Sequence, residues 1–266
     1  LAPPEIFDRL DALMQEAVKL ADGEPFKTRV GWVKGGIMDN MSASRKKFLD
    51  SKKSKDDSPS APLVTKPPLV ISSLGFAPTS QTSPDADPWK QVPWIELTGK
   101  DSTSMGTKMK AGFFGAEAFF LVETKEESPE KSKAQGIRDL QVFLDDGIEV
   151  FIGTNPVVRH QYAHFILNSK GVLYDARGDA GNEDISWNAS QSEFHVAPTS
   201  EGFRYFFRLN VADLATEPPS GSSMWYGNII RNRFFDSDGS KPTKVDSYFP
   251  AQGPYWLSMG EMKFSK

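Results

Sequence analysis

The residue of this chain best suited to chemistry is a glutamate enclosed in an apolar run. Glu149 lies between Ile148 and Val150, directly after an Asp-Asp-Gly turn at residues 145–147. The run has the composition and alternation of a β-strand, which places Glu149 on the same face as Phe151. A carboxylate beside an aromatic ring is suited to accept hydrogen bonds from ligand hydroxyl groups. The alternative is a solvated carboxylate on the exposed side of a sheet.

The histidines are the first candidates for metal chemistry. His160 and His164 are four residues apart, which is the spacing that binds one zinc ion on a helix. Their segment has strand composition, and four residues of strand span about 13 Å, too far for a shared ion. The chain has no cysteine, which excludes disulfides, metal–thiolate sites and cysteine catalysis. We therefore expect no catalytic metal.

Paired carboxylates could cleave a glycosidic bond, but the acidic residues do not define such a pair. Asp145 and Asp146 are adjacent, so their side chains diverge on an extended backbone and a turn role is the simpler interpretation. Glu149 could pair with Asp146 or Asp175, and the sequence leaves that separation open. The sequence has neither a Gly-x-Ser-x-Gly motif nor a phosphate-binding loop.

The composition is that of a globular protein, and the net charge argues against some classes of partner. Of its 266 residues, 25% are charged and 38% hydrophobic, which is ordinary for a soluble domain. A net charge of −4 argues against nucleic acid, because phosphate binding needs a concentrated basic surface. No apolar run approaches the roughly 18–20 residues that span a bilayer. The chain begins with Leu1, and we expect a mature protein or an excised fragment.

Pattern divides the chain into three pieces. Apolar residues at helical spacing predict an α-helical hairpin over residues 1–50, and residues 51–68 are rich in Ser, Lys, Asp and Pro, which is typical of a flexible linker. Residues 69–266 predict a mainly β domain, an antiparallel β-sandwich of the immunoglobulin or jelly-roll kind. The predicted strands are 69–73, 92–97, 107–113, 116–123, 140–144, 148–153, 162–168, 172–175, 193–196, 203–209, 224–233 and 256–264.

An ordered set of motifs in this β-rich region resembles the family-9 carbohydrate-binding modules. The set covers roughly Leu69 to Lys266, and each motif alone is short. In chain order the motifs are Asp87-Pro88-Trp89, the strand of Glu149, the hairpin 162–175 with its turn at 169–171, the segment 225–232, Tyr248-Phe249-Pro250 and the closing segment 260–264. The resemblance implies a noncatalytic module that needs no cofactor.

The resemblance also implies a set of sugar-binding residues. Two aromatic rings clamp a terminal sugar in that family, and the matching positions here are Phe143 and Tyr248. The polar complement falls on Glu149, His164 and Asn232, with Asn228 on the same strand face as Asn232. Two departures stand out. Phe143 replaces a ring that is typically Trp, and Ile166 replaces an arginine that donates hydrogen bonds to the sugar.

Structural calcium is the one ion that the resemblance suggests. Modules of this kind often carry it, and Asp-rich loops offer oxygen ligands. The candidate ligands are Asp175, Asp236 and Asp238, the last two within an Asp-Ser-Asp-Gly run at residues 236–239 that resembles half of a calcium loop. A plain turn is the alternative, since the later glutamate of an EF-hand is missing.

The leading hypothesis is a module that binds the ends of an oligosaccharide or polysaccharide. The N-terminal hairpin resembles a helical tail of large bacterial glycosidase-like proteins, which implies a missing catalytic domain as parent and a secreted, periplasmic or cell-surface location. Two alternatives remain open. One is a structural accessory domain whose sugar site has decayed, for which Ile166 argues, and the other is glycoside hydrolysis by this chain itself.

Removal of residues 1–66 is expected to leave a folded domain. The linker separates the two parts, and a helical hairpin has too few apolar residues to complete a core by itself. Thermal melting of the full chain and of the truncated chain should give similar transitions. An insoluble truncated chain would show that the N-terminal residues complete the core of the β-domain.

Overall fold

The computed structural model describes most of the β-rich region. It describes residues 66–265 apart from 100–101, 127–128, 130–131, 135, 140–141, 156, 159, 235–243 and 251–254. The predicted helical hairpin at residues 1–50 lies outside the described residues, as does the predicted linker up to residue 65. No helix among the described residues has the length and hydropathy needed to cross a membrane.

Strands make up nearly all of the regular structure. The one α-helix of the described part is a single turn, α1 (Val211–Leu214), and short 3-10 helices cover Trp89–Gln91, Val142–Leu144 and Tyr255–Ser258. The strands are β1 (Leu69–Ser73), β2 (Ile95–Glu96), β3 (Thr107–Phe114), β4 (Glu117–Lys125), β5 (Gly147–Gly153), β6 (Gln161–Asn168), β7 (Leu173–Asp179), β8 (Asn182–Asp184), β9 (Glu193–Pro198), β10 (Gly202–Asn210), β11 (Met224–Arg233), β12 (Lys244–Ser247) and β13 (Gly260–Ser265).

All thirteen strands belong to one hydrogen-bonded sheet. Its order is β8-β7-β6-β5-β11-β13-β1-β3-β4-β10-β9, with β12 added to β11 and β2 added to β3. The expectation of a purely antiparallel sandwich is therefore wrong in detail, because β1 runs parallel to both of its neighbours, β13 and β3. A parallel neighbour requires a long connection, and residues 74–106 supply one between β1 and β3.

The sheet curls so that its two ends face each other across the main core. The ring of Phe165 on β6 lies 5.2 Å from the ring of Phe194 on β9, although these strands are far apart in the sheet order. Phe194 in turn lies 5.9 Å from Phe207 on β10. This closure is why a sandwich describes the fold only loosely. One face of one curved sheet lines the core, and we call it the inner face and its opposite the outer face.

The predicted strands agree with the structure wherever alternation is strong. The bounds predicted for β11 and β1 are those observed, and β5 begins one residue earlier than predicted. Two predictions are wrong: residues 142–144 of the strand predicted at 140–144 form a 3-10 helix, and residues 256–258 also belong to a 3-10 helix. The short strands β8 and β12 were not predicted, because three or four mostly polar residues carry too little alternation signal.

A buried ionic cluster joins β11 to the end of β4 across the interior. Both carboxylate oxygens of Glu126 are bound, one by Arg231 and the other by Arg233 Nη2 at 2.9 Å. Arg233 also pairs with Asp146, whose other oxygen accepts from the Phe234 backbone N–H. These four charged side chains are at most 10% exposed. Each charge therefore depends on its partners in place of water.

We predict that Glu126→Ala destabilises the fold strongly. The change leaves two buried arginines with one carboxylate between them, and removing one partner of a buried ion pair typically costs about 3–5 kcal/mol. The measurement is urea unfolding. The matched control is Glu201→Ala, which removes an exposed pair with Lys125 at 3.2 Å and should change stability by less than about 1 kcal/mol. Equal effects of the two variants would contradict the importance of the cluster.

Candidate functional site

Strand alternation places Glu149 on the outer face of the sheet. Its neighbours Ile148 and Val150 belong to the main core on the inner face. Glu149 itself is only 4% exposed, so the alternative of a solvated carboxylate is wrong. Other outer-face side chains bury it, and the site is a polar cluster enclosed by apolar groups.

Two predicted partners do lie against Glu149. Asn232 of β11 donates a hydrogen bond from Nδ2 to Glu149 Oε1, and His164 Nε2 of β6 lies 3.6 Å from Oε2. The imidazole of His164 stacks on the ring of Phe151, with centroids 4.0 Å apart and planes inclined by 16°. The sheet register explains this contact, because Phe151 pairs with His164 across β5 and β6. A carboxylate, an amide and an imidazole thus meet on one face.

A second glutamate, which the sequence analysis missed, holds the other side of His164. Glu183 of edge strand β8 accepts from His164 Nδ1 at 2.9 Å and from Tyr162 Oη at 3.1 Å through Oε1, and from Tyr174 Oη through Oε2. Gly178 makes room for this arrangement, since a β-carbon there would lie 2.1 Å from the Tyr162 ring. The overlooked signal was the length of β7, which continues to Asp179 and returns as β8 through a tight turn.

The two carboxylates control the charge of the imidazole. Burial favours neutral His164, but its contacts with Glu149 and Glu183 outweigh that effect and raise its pKa to about 9. Burial also opposes ionisation of Glu183, yet hydrogen bonds from His164 and the tyrosines hold its pKa below the usual value. Burial and Glu183 together raise the pKa of Tyr162 and of Tyr174. At neutral pH the site holds a buried imidazolium between two glutamates.

The remaining predicted residues lie in different surroundings. Asn228 is buried and clips a loop, donating from Nδ2 to the carbonyls of Phe249 at 2.9 Å and Ser258 at 3.0 Å while accepting from the Phe249 N–H. Tyr248 belongs to the main core and donates to the Pro67 carbonyl at 3.1 Å. Asn228 and Tyr248 therefore make contacts that stabilise the fold.

Phe143 lies on the outer side of the sheet and is half exposed. It belongs to the 3-10 helix Val142–Leu144, and its neighbour Val142 packs against Ile166 and Tyr174 on the outer face. Tyr248, by contrast, belongs to the inner core. The two rings are thus on opposite sides of the sheet and do not form a common clamp in this conformation.

Ile166 contributes to the apolar cover over the polar cluster. It pairs with Glu149 on one side and with Tyr174 on the other, and it is 1% exposed. The two arginines of β11, Arg231 and Arg233, project to the inner face and bind carboxylates of the ionic cluster. No arginine among the described residues replaces the missing donor beside Glu149.

Asp175 is the one described residue among the predicted calcium ligands. Both oxygens of Asp175 are occupied, one by Arg138 Nη2 at 2.7 Å and the other by the Ala189 N–H at 2.7 Å. Asp236 and Asp238 lie outside the described residues. In the part of the chain that is described, no three acidic, histidine or cysteine side chains are placed to share a metal ion. Bound calcium remains a prediction.

Solved structures share this fold, although the sequence matches no protein-family model and no curated protein. A family-9 carbohydrate-binding module from Caldicellulosiruptor kristjanssonii, solved with cellotriose, has a TM-score of 0.56 at 16% identity and covers 75% of this chain and 94% of its own. A candidate carbohydrate-binding protein from Bacteroides uniformis has a TM-score of 0.57 at 16% identity. The match covers 74% of this chain and 98% of the other.

A second structure of a family-9 module, solved with a different sugar, also matches this chain. The structure from Caldicellulosiruptor kristjanssonii solved with glucose has a TM-score of 0.51 at 14% identity and covers 74% of this chain and 95% of its own. At these identities the likeness concerns the fold. The fold resemblance that the ordered motifs predicted is confirmed to that extent.

The raised pKa of His164 predicts how stability depends on pH. Folded His164 retains its proton up to about pH 9, whereas the unfolded chain releases it near 6.5. Stability from the imidazolium is therefore fully present below the unfolded pKa and is lost as pH rises through the folded pKa. The free energy of unfolding, measured in urea across that window, should fall with pH in the wild type. His164→Gln should flatten the slope.

His160→Gln is the control for this measurement. His160 is 52% exposed and faces Asp179 at 3.4 Å on the surface, so its removal should leave the slope nearly unchanged. An identical slope in His164→Gln and wild type would show that His164 is not held charged by its two glutamates.

Proposed function

We propose that residues 69–266 form a noncatalytic carbohydrate-binding domain. The observation that carries the proposal is the whole-domain likeness to solved modules, two of which are described as complexes with cellotriose and with glucose. The motifs that resemble this family are spread over the whole sheet, and the solved modules of the family share the fold of this domain. Saccharide recognition is the function most consistent with both.

The polar cluster offers one way of holding a sugar hydroxyl. His164 Nε2 has no hydrogen-bond partner among the described residues, and Glu149 Oε2 lies 3.6 Å from it. A hydroxyl could accept from the imidazolium and donate to the carboxylate, which are charge-assisted hydrogen bonds. Because both groups are buried, binding there requires displacement of the cover, and the cost of opening lowers the apparent affinity.

Phe143 supplies the apolar contact in this proposal. Its ring is half exposed on the outer side of the sheet, and the C–H face of a pyranose packs well on an aromatic ring. The proposal uses Phe143, Glu149, His164 and Asn232. Asn228 and Tyr248 support the site indirectly, through the loop and the core that they stabilise.

The same geometry argues against hydrolysis by this cluster. A glycosidase needs one carboxyl group to donate a proton to the leaving oxygen and a second to act as base or nucleophile. Glu149 and Glu183 flank one imidazolium, and Glu183 is further bound by two tyrosine hydroxyls. Neither is arranged to exchange a proton with a scissile bond.

The second candidate function is that of a structural accessory domain. The observation that favours it is the closed state of the outer face, where Glu149 is 4% and Ile166 is 1% exposed. In that role the buried charges would stabilise a fold whose ancestral sugar site has decayed.

The wider setting forms part of the proposal. We propose that the domain recognises glycan ends and directs a carbohydrate-active parent enzyme to polysaccharide outside the cell or at its surface. The support for this is the resemblance of residues 1–50 to the tails of glycosidase-like proteins. Calcium, in this proposal, stabilises the domain without contacting the sugar.

Phe143→Ala separates the two candidate functions. In a binding domain it should weaken saccharide affinity by a stacking contact on the order of 1 kcal/mol, about fivefold in Kd, with an unchanged melting temperature. Isothermal titration of wild type and variant with a panel of neutral oligosaccharides measures this. Phe76→Ala is the control, because Phe76 is similarly exposed, at 49% against 50%, and lies outside the proposed site.

Glu149→Gln tests the polar contact by a different readout. Loss of a charge-assisted acceptor should weaken binding by about 1.5–3 kcal/mol, roughly tenfold or more. If wild type binds no saccharide of the panel and Glu149→Gln lowers the melting temperature, Glu149 is a structural acid and the accessory-domain role is correct.

A further inference from the structure

An open groove with polar and apolar lining lies at the end of the sheet where β6, β7 and β8 meet. Its volume is about 650 Å³, within the roughly 300–1,000 Å³ of small-molecule sites. It differs from the Glu149 cluster in being accessible without any displacement of side chains. The groove, which we call the β6–β8 groove, is lined among others by Gln161, Tyr162, Arg177, Asp179, Asn182 and Asp184.

The exposed side chains of the groove are planar polar groups. Gln161 and Asn182 provide amides, and Asp179 and Asp184 provide carboxylates, all on the surface. Amides both donate and accept, whereas carboxylates accept from hydroxyl groups. A ligand rich in hydroxyl groups satisfies both kinds of partner.

The groove also has an ordered cation and an apolar wall. Arg177 Nη2 donates to the Asp213 carbonyl at 2.9 Å, and its guanidinium lies 5.0 Å from the centre of the Trp187 ring. These two contacts fix the side chain, so a ligand that accepts from it costs little further entropy. Leu214 and Ala215 line the groove beside it and supply an apolar surface.

The acidic residues that line the groove favour a neutral ligand over an anionic one. Two exposed aspartates of the β7–β8 hairpin, Asp179 and Asp184, line a groove in which Arg177 is the one arginine or lysine among the described lining residues. Like charges repel an anionic ligand, and desolvating a carboxylate beside it adds to that cost. Acidic sugars are therefore disfavoured relative to neutral ones.

The groove and the buried cluster share a residue. Glu183 lines the groove and also accepts from His164 and Tyr162. The edge strand that forms the groove is thus held to the sheet by the imidazolium beneath it. A rigid wall of this kind lowers the entropic cost of binding.

Resting on the proposed carbohydrate-binding function, we infer that the β6–β8 groove is a binding site for a neutral oligosaccharide, with Gln161 and Asn182 donating and accepting hydrogen bonds to its hydroxyls. The ligand enters from solvent along the edge of the sheet. His164 also stabilises the wall of this groove, through its hydrogen bond with Glu183.

The test is isothermal titration of the full chain with cellohexaose, xylohexaose, mannohexaose and hexagalacturonate. We expect a neutral hexasaccharide to bind and hexagalacturonate to bind about tenfold more weakly or not at all. The double variant Gln161→Ala with Asn182→Ala should weaken the neutral ligand by about tenfold. A control double variant, Gln81→Ala with Gln91→Ala, removes two exposed amides elsewhere and should bind as wild type does. Melting temperatures confirm that each variant is folded.

The outcomes separate the groove from the proposed function. If Phe143→Ala loses binding while the groove variant keeps it, the sugar binds at the outer face, and the inference is wrong while the proposed function stands. Absence of binding by wild type to all four saccharides overturns the proposed function and the groove with it. Equal affinity for hexagalacturonate and the neutral ligands would contradict the assigned ligand class.

Discussion

Two arginines of β11 reach across the interior of the curled sheet to the end of β4. Arg231 and Arg233 share the carboxylate of Glu126, and Arg233 adds Asp146 at the start of β5. Strands on two sides of the curve are thereby joined by charged side chains that are at most 10% exposed. The rest of the sheet depends on this junction, since β11 is the strand that carries β5 on one side and β12 and β13 on the other.

The two faces of β11 make different contacts, because successive side chains of a strand point to opposite faces of the sheet. Arg231 and Arg233 project inward to the ionic cluster, while Asn232 between them projects outward to Glu149. A one-residue change of register would exchange these roles and leave buried charges unpaired. The outer cluster is therefore positioned by the inner one, and Glu149 and His164 meet because β11 fixes β5 in register.

The solvent accessibility of the polar side chains distinguishes a structural role from a binding role. A buried imidazolium between two glutamates is a stabilising arrangement as it stands, and it becomes a ligand site only where the outer face opens. The β6–β8 groove has the opposite character, with exposed amides and carboxylates on an edge that the same imidazolium helps to hold. Under the proposed function, the two candidate places for a saccharide therefore differ in the free energy needed to open them.

Sequence alone determined the elements whose signals are local. Alternation located β5 and β11, and it assigned Glu149 to the same face as Phe151 and Asn232 to the same face as Asn228. The ordered motifs predicted a fold that solved structures share. The tertiary structure decided the burial of individual side chains, the pairing of the strands and the partners of the polar groups, none of which follows from alternation. It placed Tyr248 in the core, turned residues 142–144 into a 3-10 helix, paired β1 in parallel and brought Glu183 from an unpredicted edge strand to His164. Burial and partner choice depend on strands distant in sequence, and so does the charge of a histidine, which here follows from two glutamates contributed by β5 and β8.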